Sequence, residues 1–323
     1  MRHHEDLLVS IVVPLFNEED NITHFYEAIR AVIDERPERF ELIFVDDGSR
    51  DQTPVPLRDL AQKDARVRSL ILARNFGHQL ALTCGMDHAR GDAVITMDGD
   101  MQHPPALLPD LLAAWYDGYD VVQTVRLSTA NVGWFKKWTS RGYYRFINSI
   151  SKVEIVEGGS DFRLLDRKVA ERLYDFREHA RFLRGIVSDI GYRQTRITFR
   201  APERFAGESK FSFRKMVRFA IDGITSYSTV PLRLALYLGL CMGLVSLLLI
   251  GYVLLVKYYF QEAVSGWATV VVAILMLGGI QLVFLGVIGE YIGRIFEEVK
   301  GRPLYWLRAD YGGASDDTKQ RGQ

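Results

Sequence analysis

From Leu234 to Val256 no residue carries a formal charge, and a second uncharged apolar run extends from Ala263 to Gly289. Wound as helices at about 1.5 Å per residue, both runs are long enough for a hydrocarbon core of about 30 Å. Buried core helices are usually shorter, so the pattern predicts a transmembrane hairpin over 231–292, with spans at 234–256 and 263–289. Arg233 and Lys257 bracket the first run, and Glu290, Arg294 and Lys300 follow the second, as expected where helices meet headgroups and water. The short connection holds only Lys257 and Glu262, whereas Arg294, Lys300, Arg302 and Arg308 follow the second span. Positive charge concentrated beyond the second span predicts a multi-pass inner-membrane protein with both termini in the cytoplasm.

Residues 1–230 read as a separate cytoplasmic domain and 293–323 as a cytoplasmic tail, disordered from Asp310, where Gly, Asp and Gln occur without periodicity. The first apolar stretch is short, rich in Val and Ile, and closed by charged residues, so it reads as a strand and not as a signal peptide. Forty Lys and Arg balance 40 Asp and Glu, which gives no pull toward nucleic acid. Cys84 and Cys241 lie far apart, which excludes a disulfide framework and a Cys-rich zinc site and suits a reducing compartment.

Within 1–230, the runs LLVSIVV, FELIFV, VRSLILA, DAVITM and YDVVQTV alternate with helical stretches at Glu19–Asp34, Pro54–Lys63, Gly77–Ala89 and Pro105–Asp117. Apolar strands separated by helices predict an α/β fold with a mostly parallel sheet covered on both faces. Ligands of such sheets sit beyond the carboxyl ends of the strands. Those ends read PLFNEE, DDGSRD, RNFG and DGDMQHPP. Asp46 and Asp47 close the second strand, and Asp98 and Asp100 the fourth. Gly99 lets the backbone turn so that both carboxylates face one ligand. Two hard oxygen donors with open positions suit Mg²⁺ or Mn²⁺ completed by phosphate oxygens and water. Gln102 is preferred to His103 as a third ligand, because a His beside Pro-Pro is more often a packing or capping residue.

From Val121 to Val153 there is no acidic residue, while Lys137, Arg141 and Arg145 form a helical stripe beside Trp134, Trp138 and Phe146. A second basic and aromatic segment runs from Lys210 to Tyr227 into the first span. Both suit helices lying in the headgroup layer, near 134–150 and 211–228. Gly239 with Gly243 permits close helix packing and a homo-oligomer.

IVVPLFNEE, VDDGSRDQT, ARNFGHQLAL and MDGDMQHPP together resemble the inverting GT-A (Rossmann-like) glycosyltransferases that load polyprenyl phosphates, the relatives of dolichyl-phosphate mannose synthase. GGSDFRLLDR, RFAGESKFSFRKM and the tail through GEYIGRI extend the resemblance over nearly the whole chain, and it is strongest to bacterial enzymes that move glucose from UDP-glucose to undecaprenyl phosphate. The resemblance implies that Pro14, Phe16, Glu18 and Asp47 line the nucleotide, joined by Asp98 and Gly99, with Asp98, Asp100 and Gln102 on the metal. It implies Asp161 as the catalytic position, Arg204, Ser209 and Lys210 in a segment closing over phosphates, and Arg126 and Arg141 on the acceptor phosphate. That acceptor is largely an anion at neutral pH, its second pKa being about 6, so Asp161 is expected to orient more than deprotonate. GDP-mannose or an aminoarabinose nucleotide is the alternative donor. A nucleotide-sugar-binding scaffold that recruits a flippase is the alternative from another class.

Overall fold

The computed structural model describes residues 7–127, 159–179, 181–200, 230–255, 259 and 266–312. The first unit alternates β1 (Leu8–Leu15), α1 (Ile22–Ile33), β2 (Arg39–Asp46), α2 (Pro54–Lys63), β3 (Val67–Leu72), α3 (His78–His88), β4 (Ala93–Thr96), α4 (Leu108–Tyr116) and β5 (Val121–Arg126). It continues through β6 (Gly159–Asp166), α5 (Arg167–Tyr174), α6 (Leu183–Asp189) and β7 (Gln194–Phe199), and β8 (Leu307–Tyr311) returns to it from the far end of the chain. The eight strands form one sheet in the order β7-β5-β6-β4-β1-β2-β3-β8.

Period-two alternation sends each strand into two cores. Val9, Ile11 and Val13 of β1 pack with Phe25 and Ile29 of α1 and Trp115 of α4. Val12, Ile43 and Val45 pack on the other face with Ala81 and Leu82 of α3 and Val169 of α5. The sheet is mostly parallel, as expected, with two exceptions among the described strands: β1, β2, β3, β4, β5 and β7 run one way, while β6 lies antiparallel between β4 and β5 and β8 antiparallel to β3. An antiparallel strand begins where its neighbours end, so the first residues of β6 stand level with the carboxyl end of β4. Thr96 pairs with Arg163, and the Thr96 hydroxyl donates to the Asp161 carbonyl at 2.6 Å.

The disorder expected from Asp310 onward does not begin there. β8 pairs antiparallel with the edge strand β3, and Arg68 grips Asp310 through two hydrogen bonds of 3.1 and 2.7 Å. Tyr305 donates to Asp87 at 2.8 Å, and Leu304 is buried. A polar, Gly-bearing segment orders here because it completes the unpaired hydrogen bonds of a sheet edge, which composition does not register.

The second unit contains α7 (Val230–Leu255) and α8 (Trp267–Val299). Leucines stay exposed along both helices, as at Leu247, Leu248, Leu282 and Leu285. Helix α8 runs on past the expected limit at Gly289, through Arg294, with Arg294 and Glu290 paired one turn apart. Among the described residues Met276–Val299 is long and apolar enough to cross a membrane, and Leu232–Leu248 is a shorter apolar stretch. The expected interfacial helices near 134–150 and 211–228, with Arg141, Arg204, Ser209 and Lys210, lie outside the described residues.

Candidate active site

The carboxyl ends of β1, β2, β3 and β4 bring their loops together. Pro14 pairs with Val45 inside the sheet, and Phe16 projects beyond it, partly exposed. The loop after β1 is laced to the loop after β2: Asn17 N–H donates to Ser49 Oγ, Arg50 N–H to Asn17 Oδ1, and Glu18 N–H to Thr53 Oγ1, all within 2.9 Å. Asn17 holds φ 54°, a left-handed conformation that Asn tolerates better than most residues. Gly48, at φ +66°, lets the loop after β2 press on the backbone of Arg74, where a Cβ would lie 2.3 Å from a main-chain carbon.

Asp47 is buried, and its carboxylate accepts the N–H groups of Phe76 and Gly77 at 2.7 and 2.9 Å. Burial pushes its pKa up and those two donors oppose the rise. Asp47, expected to line the nucleotide, thus also fixes the loop that delivers His78.

After β4, the turn works differently from expectation. The left-handed residue is Met101, at φ 62°, whereas Gly99 leaves room for Leu15, whose Cδ2 would stand 2.3 Å from a Cβ there and would have to move. Asp100 Oδ1 accepts the Gln102 N–H at 3.1 Å. His103 is a splint. Its Nδ1 accepts the Asp98 N–H at 2.8 Å, which leaves the proton on Nε2, 2.6 Å from Ser160 Oγ on β6. The ring stacks on Phe162 at 5.2 Å, and burial lowers its pKa against the pull of Asp98 and Asp100. Gln102 turns its Oε1 to Arg126 Nη1 at 2.8 Å, which places Arg126 beside the same loop.

Asp98 Oδ1 is buried without a hydrogen-bond partner. An orphaned carboxylate oxygen is costly unless a ligand completes it, and with Asp100 beside it the donor chemistry fits a hard divalent cation. No group of three His, Cys, Asp or Glu able to hold a metal occurs among the described residues.

Asp161, level with this loop, is 7% exposed and heavily paired. Arg163 Nη2 donates to Oδ1 at 2.6 Å, and Arg184 spans both oxygens at 3.0 Å. His78 Nε2 lies 3.5 Å from Asp161 Oδ2 and 3.4 Å from Asp98 Oδ1. Burial would raise the Asp161 pKa, but the His78 hydrogen bond and the charges of Arg163 and Arg184 outweigh it and hold the carboxyl well below the usual range. Burial would lower the His78 pKa, and its two carboxylate neighbours reverse that into a net rise. The Asp161 carboxyl is thus held toward its charged form by the groups around it.

Arg163 and His78 lie within the motifs read from sequence but were not singled out, although His78 directly follows a strand-end loop. Arg184 carried no local signal, because only α6 packing near β6 brings it to Asp161.

Residues 10–174 match the glycosyl transferase family 2 domain, and residues 230–295 match the GtrB C-terminal hairpin. An uncharacterized glycosyltransferase of Bacillus subtilis (strain 168) is 42% identical over 94% of this chain and 94% of its own length. A prophage-derived bactoprenol glucosyl transferase of Shigella flexneri is 40% identical over 94% of this chain and 99% of its own. Mannosyl-3-phosphoglycerate synthase from Rubrobacter xylanophilus shares the fold, with a TM-score of 0.50 and 17% identity over 68% of this chain and 72% of that one. With a GT-A sheet, an orphaned metal-type carboxylate and an apolar hairpin in one polypeptide, this chain belongs to glycosyl transferase family 2, as a membrane-associated glycosyltransferase.

Proposed function

We propose that this chain transfers one glucosyl residue, with inversion, from UDP-glucose to undecaprenyl phosphate at the cytoplasmic face of the membrane. The observation that carries the reading is a buried Asp98 oxygen that accepts no hydrogen bond, across from an Asp161 carboxylate gripped by Arg163 and Arg184: the first suits a cation and the second suits an anion that orients its neighbours. The likeness to a bactoprenol glucosyl transferase, which includes the hairpin, supports the lipid acceptor and the sugar.

Asp98 and Asp100 would hold Mg²⁺ or Mn²⁺, which supplies charge to stabilise the departing diphosphate. Pro14, Phe16, Glu18 and Asp47 border the nucleotide, and Gly99 keeps the metal loop against Leu15. Arg126, anchored by Gln102, faces the acceptor phosphate together with Arg141, while Arg204, Ser209 and Lys210 close over the phosphates. A phosphate monoester with a second pKa of about 6 needs no strong base to become a nucleophile. Asp161 therefore orients the reacting groups and need not carry a proton.

Sheet topology supports the placement of both ends. Strand β8 joins the sheet that β1 opens, so the chain leaves after β7 and returns to the same side. Both ends of the chain in one sheet accord with an even number of crossings, as the expected hairpin has.

The test is purified protein with undecaprenyl phosphate, Mg²⁺ or Mn²⁺, and radiolabelled UDP-glucose, GDP-mannose or an aminoarabinose nucleotide in turn, counting label in the organic phase. Label from UDP-glucose alone, abolished by EDTA and by Asp100→Ala, is expected. Label from another donor replaces the sugar assignment, and donor binding without any lipid product overturns the enzymatic reading.

A further inference from the structure

The His78 imidazole touches both halves of the site, with Asp98 of the metal loop 3.4 Å away and Asp161 of β6 3.5 Å away. The other partners of Asp161 are arginines and the Gln79 amide, and Arg163 is almost wholly buried. His78 is 43% exposed and lies against both the Asp98 and the Asp161 carboxylates. Its position is set by rigid parts: Asp47 clamps the N–H groups of Phe76 and Gly77, and His78 is the first residue of the eleven-residue α3.

The proposed reaction places the diphosphate at Asp98 and Asp100 and the acceptor phosphate near Asp161. The group in transit between them is the sugar, so a polar side chain bridging the two carboxylates borders the sugar and not the base. We infer that His78 is a donor-sugar-binding residue, whose ring nitrogen not facing Asp98 and Asp161 hydrogen-bonds a hydroxyl of the transferred hexose while Asp161 orients the ring. The contact is made to the sugar and is absent for the free nucleotide. This rests on the proposed glycosyl transfer and adds the residue that distinguishes a nucleotide sugar from its nucleotide.

The experiment compares UDP-glucose with UDP on full-length wild-type, His78→Ala and His78→Gln protein in detergent with Mg²⁺. Affinity of each ligand is measured by calorimetry, and KM and kcat by lipid-linked label. A lost neutral hydrogen bond of about 1 kcal/mol corresponds to roughly five- to tenfold in affinity. UDP-glucose affinity is expected to fall about that much in His78→Ala, with a matching rise in KM, while UDP affinity stays within about twofold. His78→Gln, which restores a donor, is expected to recover part of the loss. Equal losses for UDP and UDP-glucose would place His78 on the diphosphate and overturn the inference, as would a fall in kcat with both affinities unchanged. The wild-type arm separates the two readings: wild type without product rejects the proposed transfer, whereas active wild type with unaltered His78 variants rejects only the sugar contact.

Discussion

Replacing Asp161 with Asn keeps the shape of the side chain and removes its charge, so Arg163 loses its buried counter-ion. Arg163 is 4% exposed and donates to Asp161 at 2.6 Å, whereas Arg184, 39% exposed, stays hydrated when the carboxylate goes. Removing one partner of a buried pair costs about 3–5 kcal/mol, and because Asn retains one acceptor oxygen the lower end applies. For a unit of this size about 3 kcal/mol lowers the melting temperature by roughly 6–12 °C. The pH dependence follows from the depressed carboxyl. Its contribution to stability is complete above the unfolded carboxylate value of about 3.9 and disappears only as pH falls through the lower folded value. The carboxyl itself should thus leave the melting gap between wild type and Asp161→Asn unchanged from pH 8 to pH 5, while His78, whose pKa Asp161 helps to raise, should widen it as the imidazole charges on lowering the pH, measured by near-ultraviolet circular dichroism in detergent. A gap that narrows over that range would mean that Asp161 takes up a proton there, and the fixed-anion argument would fail. Equal melting temperatures at every pH would refute the buried-pair reasoning itself.

Asp98→Asn should lose at least a hundredfold in lipid-linked label yet melt within a few degrees of metal-free wild type, because the oxygen it neutralises accepts no hydrogen bond and has only the half-exposed His78 ring at 3.4 Å. Gly99→Ala forces a Cβ against Leu15 Cδ2 and should cost about 1–3 kcal/mol in chemical denaturation, partly restored by adding Leu15→Val. Gly48→Ala should be worse and have no such rescue, since the obstacle is the Arg74 backbone and φ is positive. Asp310→Ala should destabilise by about 2 kcal/mol through loss of two charged hydrogen bonds, with limited proteolysis cutting first between residues 300 and 312.

Helices α1 to α4 and strands β1 to β5 were legible to within a few residues because their signals are local: apolar runs of strand length, broken by Pro, Gly and Asp. The strand-end carboxylates were legible for the same reason, since a parallel sheet places its ligand beyond those ends. The preference for Gln102 over His103 rested on the neighbouring Pro-Pro; the structure holds His103 at both nitrogens, by the Asp98 N–H and by Ser160, and holds the Gln102 amide oxygen on Arg126. The stated reason for Gly99 did not hold. Its missing side chain makes room for Leu15, and the positive φ falls on Met101.

What the amino-acid order determined by itself was therefore the α/β alternation, the acidic strand ends and the apolar hairpin, all of which express periodicity or composition over a dozen neighbouring residues. The tertiary structure alone decided that β6 runs antiparallel beside β4, which sets Asp161 across from Asp98, that α6 brings Arg184 onto Asp161, and that Leu307–Tyr311 closes the sheet at β3. Each of these joins residues far apart in the chain through hydrogen bonds or charges, and strand direction and edge pairing leave no mark on local sequence because either direction satisfies the same backbone groups.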